Sequence, residues 1–139
     1  MNKLIERKAY LEQLSMWREE EMIKVVTGVR RCGKSTLFDL FIDKLKAEGI
    51  KEEQIIFINL EDQDFSELLD YKKLHDYVIT HMQKDKWTYV FIDEIQNCID
   101  YERAISSLFL RKSLDIYITG SNAYMLSGEL ATKLTARYI

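Results

Sequence analysis

Hydrophobic and polar residues are arranged in two kinds of block along the chain. Short, mostly apolar runs rich in β-branched and aromatic residues are typical of strands covered on both faces of a parallel sheet. Such runs occur at 22–27, 54–59, 89–92 and 115–120. Tyr138 and Ile139 resemble the first residues of another strand. The pattern therefore predicts a mostly parallel sheet whose fifth strand is truncated.

Longer segments between these runs carry apolar residues at helical spacing, with charged residues on the opposite side. We expect helices at 4–20, 34–46, 66–84 and 101–111, and another from about residue 123. Gly49 suits the position just after a helix end. Alternating strands and helices predict a three-layer α/β domain with right-handed crossovers and helices on both faces. The chain has no proline and no linker-like stretch, so we treat residues 1–139 as one domain.

The segment Gly28-Val29-Arg30-Arg31-Cys32-Gly33-Lys34-Ser35 follows the first predicted strand and matches the phosphate-loop pattern G-x-x-x-x-G-K-[ST]. Its glycines let backbone N–H groups converge on phosphate oxygens, and the following helix points its partial positive end at the same anion. We expect Lys34 to neutralise the β- and γ-phosphates and the Ser35 hydroxyl to bind Mg²⁺. The predicted phosphate-binding residues are Gly28, Arg30, Arg31, Cys32, Gly33, Lys34, Ser35 and Thr36. A glycine-containing turn that only caps a helix is the alternative.

A second motif is the apolar run Tyr89-Val90-Phe91-Ile92, which ends in Asp93 and Glu94. Ligands of open α/β sheets bind at the carboxyl ends of the strands, so Asp93 is expected beside the phosphate loop, supporting Mg²⁺. Successive strand residues point to opposite faces, so we expect Glu94 at a different angle, as the general base for the attacking water. The alternative for Glu94 is a solvated carboxylate at a strand end.

Other polar residues have two or more interpretations. Thr119, Ser121 or Asn122 could bond the γ-phosphate or position the water, and Ser121 or Asn122 could instead cap the next helix. Arg30 and Arg31 could pair with Glu61 or Asp64, hold phosphates, or face a partner. The alternatives for Glu61, Asp62 and Asp64 are a plain acidic loop and outer-shell contacts with Mg²⁺. Arg7 or Tyr10 could lie beside the adenine base, although a helix packed on the sheet edge is the simpler reading. His75 and His81 are expected to be structural or solvated.

Composition narrows the classes of partner. A net charge of −3 gives no global electrostatic case for nucleic acid or an anionic membrane. The sequence has no apolar run of transmembrane length and no signal-peptide pattern, so a cytoplasmic location is expected. Cys32 and Cys98 make no metal framework, and a disulfide inside a phosphate loop would obstruct nucleotide, so both are predicted to be reduced.

The motifs together resemble the additional-strand, AAA+-like ATPases of the P-loop class. A closer resemblance is to a prokaryotic AAA-type ATPase family that is usually fused to a C-terminal, uncharacterised, nuclease-like domain. The segments that carry it are Arg7 with Tyr10-Leu11, 27–36, Phe91-Ile92-Asp93-Glu94-Ile95-Gln96, Ile118-Thr119-Gly120-Ser121-Asn122 and Arg137-Tyr138. The family often has proline where this chain has Val29, and a small aliphatic residue where it has Cys32.

This resemblance implies ATP and Mg²⁺ as cofactors, ATP hydrolysis, a sheet in the order 5-1-4-3-2, and a longer native chain whose C-terminal part changes conformation. Arg137 is a candidate arginine finger, with an ordinary salt bridge as the alternative. The chain contains no N-K-x-D stretch, so a preference for guanine nucleotides is not expected. The sequence leaves open whether the chain forms a homo-oligomer. No membrane partner is expected, and binding to nucleic acid is suggested by family analogy alone. The rival functions are a small-molecule kinase, a nucleotide-gated binding module with little hydrolysis, and a DNA-associated ATPase.

Overall fold

Strands and helices alternate along the chain. The computed structural model describes residues 2–26, 31–120 and 136–138, with side chains over 8–26 and 37–120. Its helices are α1 (Asn2–Met16), α2 (Arg31–Ala47), α3 (Tyr71–His81) and α4 (Tyr101–Phe109). Its strands are β1 (Ile23–Val26), β2 (Ile55–Asn59), β3 (Thr88–Asp93), β4 (Leu114–Thr119) and β5 (Ala136–Tyr138). Short 3₁₀ helices lie at Glu52–Gln54, Gln63–Leu69 and Ile95–Asn97.

The strands form one five-stranded sheet in the order β2-β3-β4-β1-β5. Every neighbouring pair is parallel. Read from β5, this is the order 5-1-4-3-2 that the resemblance implied. Because β4 separates β1 from β3, the strand before the predicted phosphate loop and the strand ending in Asp93 are one strand apart. The architecture is a three-layer α/β fold of the P-loop NTPase type, as predicted.

Both faces of the sheet are covered by helices, which explains the mostly apolar runs. Along β3, Val90 and Ile92 belong to the core shared with α3 and α4. Tyr89 and Phe91 belong to the core shared with α1 and α2. Burial of each such side chain stabilises the fold by roughly 1.5–3 kcal/mol, so both cores contribute substantially.

Aromatic rings fix α2 above the centre of the sheet. The rings of Phe91 and Tyr117 stack with centroids 4.8 Å apart and planes 13° apart. Phe38 meets Phe91 edge-on at 5.2 Å, and Phe41 lies 5.3 Å from Tyr117. These contacts hold α2, which begins within the predicted phosphate loop, across β3 and β4.

The end of α2 shows why Gly49 is needed. Its φ of +101° lies in the left-handed region that glycine adopts without steric cost. The Gly49 amide donates to Lys46 O at 3.1 Å and the Ile50 amide to Leu45 O at 3.0 Å. This is the Schellman pattern, so the sequence-based prediction of a helix stop is confirmed.

Several element boundaries differ from those expected. α1 ends at Met16 instead of residue 20, and α2 begins at Arg31 instead of Lys34. The segment 66–84 is not one helix: a kinked 3₁₀ stretch precedes α3, which begins at Tyr71 because Asp70 caps it by accepting from the Lys73 amide at 3.3 Å. The helix expected from residue 123 lies outside the described residues.

Candidate functional site

The carboxyl ends of β1, β4 and β3 are next to one another. Val26, the last residue of β1, pairs in register with Thr119, the last residue of β4. On the other side of β4, Ile118 pairs with Ile92, the residue before Asp93. With adjacent strands ~4.8 Å apart, the ends of β1 and β3 are about 10 Å from each other.

Asp93 is a buried carboxylate at this edge, with 2% of its surface exposed. Thr119 Oγ1 donates a hydrogen bond to Asp93 Oδ1. The Asp93 carbonyl accepts from the Leu60 amide at 3.1 Å, which ties the ends of β2 and β3 together. A buried carboxylate needs such partners or a cation, because desolvation of the charge is costly.

Glu94 does not continue β3, so the alternation expected for a strand residue does not apply to it. Its backbone is left-handed, with φ 58° and ψ 54°, and a 3₁₀ turn starts immediately after it. The Glu94 amide donates to Thr119 Oγ1 at 2.9 Å, and its carboxylate accepts from Gln96 Nε2 at 2.8 Å. The direction of this side chain is therefore set by a strained backbone residue and a local hydrogen bond.

Thr119 was one of three candidates for bonding a γ-phosphate or positioning a water. In the structure, its hydroxyl donates to Asp93 and accepts from the Glu94 amide. Thr119 thus connects β4 to both predicted acids, and the sequence alone did not indicate this contact.

Asp39 is a further acid that the sequence analysis missed. Partial burial, then the nearby Asp43 and Asp93 carboxylates, raise the pKa of Asp39. Asp39 lies on α2 four residues after Ser35, one helical turn along the same face. That spacing was the available signal, and the Asp39 and Asp93 carboxylates are close enough to repel each other.

Most of the predicted phosphate-loop residues are only partly described. Arg31 to Thr36 form the first turns of α2, and nothing is described of their side chains. Gly28, Arg30 and Asn122 lie outside the described residues, as does Ser121. Arg137 lies within β5, in register with Lys24. Lys24 is two residues before the carboxyl end of β1.

Four other candidates have structural partners. Tyr10 packs against the core between α1, α2 and the sheet. His75 contacts Ser107 Oγ at 3.0 Å, and His81 contacts Tyr77 O at 2.8 Å. Asp62 accepts from the Asp64 amide at 2.9 Å, which shapes the loop after β2.

The sequence analysis also missed a buried ion pair between the neighbouring strands β1 and β4. Lys24 Nζ and Asp115 Oδ1 are in contact, and both side chains are fully buried. Asp115 Oδ2 accepts from the Tyr117 hydroxyl at 2.7 Å and from the Glu19 amide at 2.8 Å. Burial raises the pKa of Asp115, while Lys24 and these donors oppose the rise. A lysine inside an apolar run was the available signal, and its role is to fix the α1–β1 turn.

Cys98 is a free, buried thiol, in agreement with the expected reduced state. Burial, with smaller effects from Asp70, Asp100 and Glu102, raises the pKa of Cys98 to about 12. The thiol therefore stays protonated and unreactive at neutral pH.

Mg²⁺ chemistry agrees with this donor set. Mg²⁺ is usually held by one or two carboxylates plus substrate phosphates and keeps several waters. Asp93, with Asp39 nearby, supplies that kind of oxygen ligand. Among the residues whose side chains are described, no group of three potential ligands forms a protein-only metal cage.

Comparison with known families decides the kind of domain. A family model described as an AAA domain matches residues 20–139. The chain belongs to this AAA domain family. The AAA domain is an ATPase-type, nucleotide-binding domain, and the match includes the phosphate-loop pattern and the Asp93–Glu94 strand end.

Curated relatives of this AAA domain are much longer than the chain. An uncharacterized protein of Haemophilus influenzae is 38% identical over 137 residues, which cover 98% of this chain and 34% of that protein. An uncharacterized protein of Methanocaldococcus jannaschii is 33% identical over 116 residues, covering 83% of this chain and 24% of that protein. The chain therefore spans about a third of the length of one relative and about a quarter of the other.

The fold also resembles that of a solved structure. The crystal structure of Saccharomyces cerevisiae RIF2 has a TM-score of 0.62 and 16% sequence identity, covering 94% of this chain and 52% of that one. The likeness concerns the fold alone. In the described part of this AAA domain, no helix is both long and apolar enough to cross a bilayer.

Proposed function

We propose that this AAA domain binds ATP with Mg²⁺ and hydrolyses it. The observation that carries the proposal is the position of buried Asp93 one strand away from the end of β1, with Thr119 between them. The segment after β1 carries the phosphate-loop pattern and leads into α2. A triphosphate with its metal can span about 10 Å between two such places.

The roles follow from the chemistry of each group. The amides and side chains from Gly28 to Thr36 bind the phosphates, and Lys34 neutralises the β- and γ-phosphate charge. Ser35 and Asp93 hold Mg²⁺, which supplies charge stabilisation when bound. Glu94 accepts the proton of the attacking water, since its carboxylate lies at the same edge beyond Asp93.

Two further roles complete the proposal. Asn122 would orient the attacking water or the γ-phosphate, and Arg137 would stabilise transition-state charge as an arginine finger. Arg137 pairs in register with Lys24 of β1, and the finger would act either within one chain or across a subunit boundary in a homo-oligomer. Turnover would drive a conformational change in the remainder of a longer protein in the cytoplasm, as in an ATPase coupled to a C-terminal domain.

Steady-state ATP turnover and nucleotide affinity of the full chain test the proposal. Lys34→Ala is expected to abolish or severely weaken nucleotide binding, and Glu94→Gln to keep ATP while losing turnover. Matched changes at exposed residues, Lys72→Ala and Glu67→Gln, should leave both quantities unchanged. Unchanged affinity in Lys34→Ala, or full turnover in Glu94→Gln, contradicts the assignments. Tight binding with negligible wild-type turnover would indicate a nucleotide-gated binding module instead.

A further inference from the structure

We propose that Gln96 is a positioning residue that holds the Glu94 carboxylate for proton transfer; this inference rests on the proposed function. Gln96 Nε2 donates to Glu94 Oε1 at 2.8 Å. This hydrogen bond restrains the plane of the Glu94 carboxylate relative to the turn. A fixed carboxylate loses less conformational freedom when the reacting geometry forms.

The turn that carries Gln96 is held by core packing and by backbone hydrogen bonds, which restrain the position of the amide. Ile95 is fully buried in the core and Cys98 is 1% exposed, which anchors the turn on both sides of Gln96. The Asn97 amide donates to Glu94 O at 3.1 Å, and the Cys98 amide to Ile95 O at 3.0 Å. The left-handed backbone at Glu94 folds its carboxylate back toward this turn.

The other amide atom of Gln96 supports the same conclusion. Gln96 Oε1 is buried and has no hydrogen-bond partner among the described residues. Leaving a buried carbonyl unpaired is unfavourable, and such exceptions concentrate at functional sites. Reversing the amide would bring Oε1 against the Glu94 carboxylate, so the contact with Glu94 fixes this orientation.

The test compares Gln96→Met with the wild-type full chain. Methionine keeps the length of glutamine but cannot donate, so we expect kcat to fall roughly tenfold, with KM and ATP affinity unchanged. The same change in a Glu94→Gln background should lower the residual kcat less than twofold, because the restrained carboxylate is already absent. Gln83→Met is the matched control: Gln83 is also half-buried and donates to Glu53 O at 3.0 Å, and its replacement should leave kcat unchanged.

Three results would overturn the inference while leaving ATP hydrolysis intact. They are wild-type kcat in Gln96→Met, an increased kcat, and an equal loss in both backgrounds, which would indicate a general structural effect. Absence of ATP turnover by the wild-type chain would instead refute the proposed function, and the role of Gln96 with it.

Discussion

The hydroxyl group of Thr119 donates a hydrogen bond to the Asp93 carboxylate. The same oxygen accepts from the Glu94 amide at 2.9 Å. Because the Thr119 backbone also pairs with Val26 in the sheet, one residue connects the two acids to the strand that precedes the phosphate loop. The relative placement of the two motifs therefore depends on a residue of the strand between them.

Replacing Thr119 tests this connection. Thr119→Val keeps the shape but removes the hydroxyl, so Asp93 loses a donor and the Glu94 amide loses its acceptor. We expect ATP turnover to fall about tenfold or more and the free energy of unfolding to drop by about 1–3 kcal/mol. Turnover assays and urea unfolding measure both effects. Thr119→Ser retains the hydroxyl and should stay near wild type; a similar loss in both variants would contradict the role of the hydroxyl.

The sequence could predict where Asp93 lies but not what holds it. A buried parallel strand delivers its last residue to the carboxyl edge regardless of side-chain detail, so the apolar run before Asp93 was sufficient. The direction of Glu94 depends on one left-handed residue, and the periodicity of a strand ends before it. The role of Thr119 needed the register of β4 between β1 and β3, which apolar patterns do not contain.

The ion pair between Lys24 and Asp115 should matter for stability. Lys24→Met leaves a buried carboxylate without its cation, and we expect a loss of roughly 3–5 kcal/mol in the free energy of unfolding, measured by urea denaturation. The matched control is Lys44→Met, since Lys44 forms an exposed pair with Glu48 at 3.1 Å. Its cost should stay within about 0.5 kcal/mol. An equal loss of unfolding free energy in the two variants would contradict a stabilising role of the Lys24–Asp115 pair.

The same pair shows where sequence reasoning was incomplete. Lys24 lies in an apolar run that correctly predicted β1, yet nothing in the run identified its partner. Asp115 is the second residue of β4, 91 positions later, and only the pairing of β1 with β4 brings the two together. Long-range polar contacts of this kind follow from topology and not from local pattern.

Stability should fall in alkaline solution because of two buried acids. Burial raises the pKa of Tyr89 to about 12 and that of Cys98 to about 12, from 10.0 and 9.0. The unfolded chain releases these protons first, so their stabilising contribution is complete below pH 9 and is lost progressively as the pH rises toward 12.

Urea midpoints at about pH 8 and about pH 10.5 measure this effect, on a window set by the two raised pKa values. Cys98→Ala should show a smaller decline between the two values, since Cys32 is present in both chains and only the buried thiol differs. An identical decline in the variant and the wild type would exclude Cys98 as a contributor.

The central claim is that one metal–triphosphate group lies between the phosphate loop and Asp93. The most direct measurement is a crystal structure of the full chain with a non-hydrolysable ATP analogue and Mn²⁺, with the metal located by anomalous scattering. The account predicts a single metal bonded to Ser35 and the phosphates, within about 5 Å of the Asp93 carboxylate, one water away. A nucleotide-bound metal elsewhere, with Asp93 facing no part of the phosphates, would contradict it.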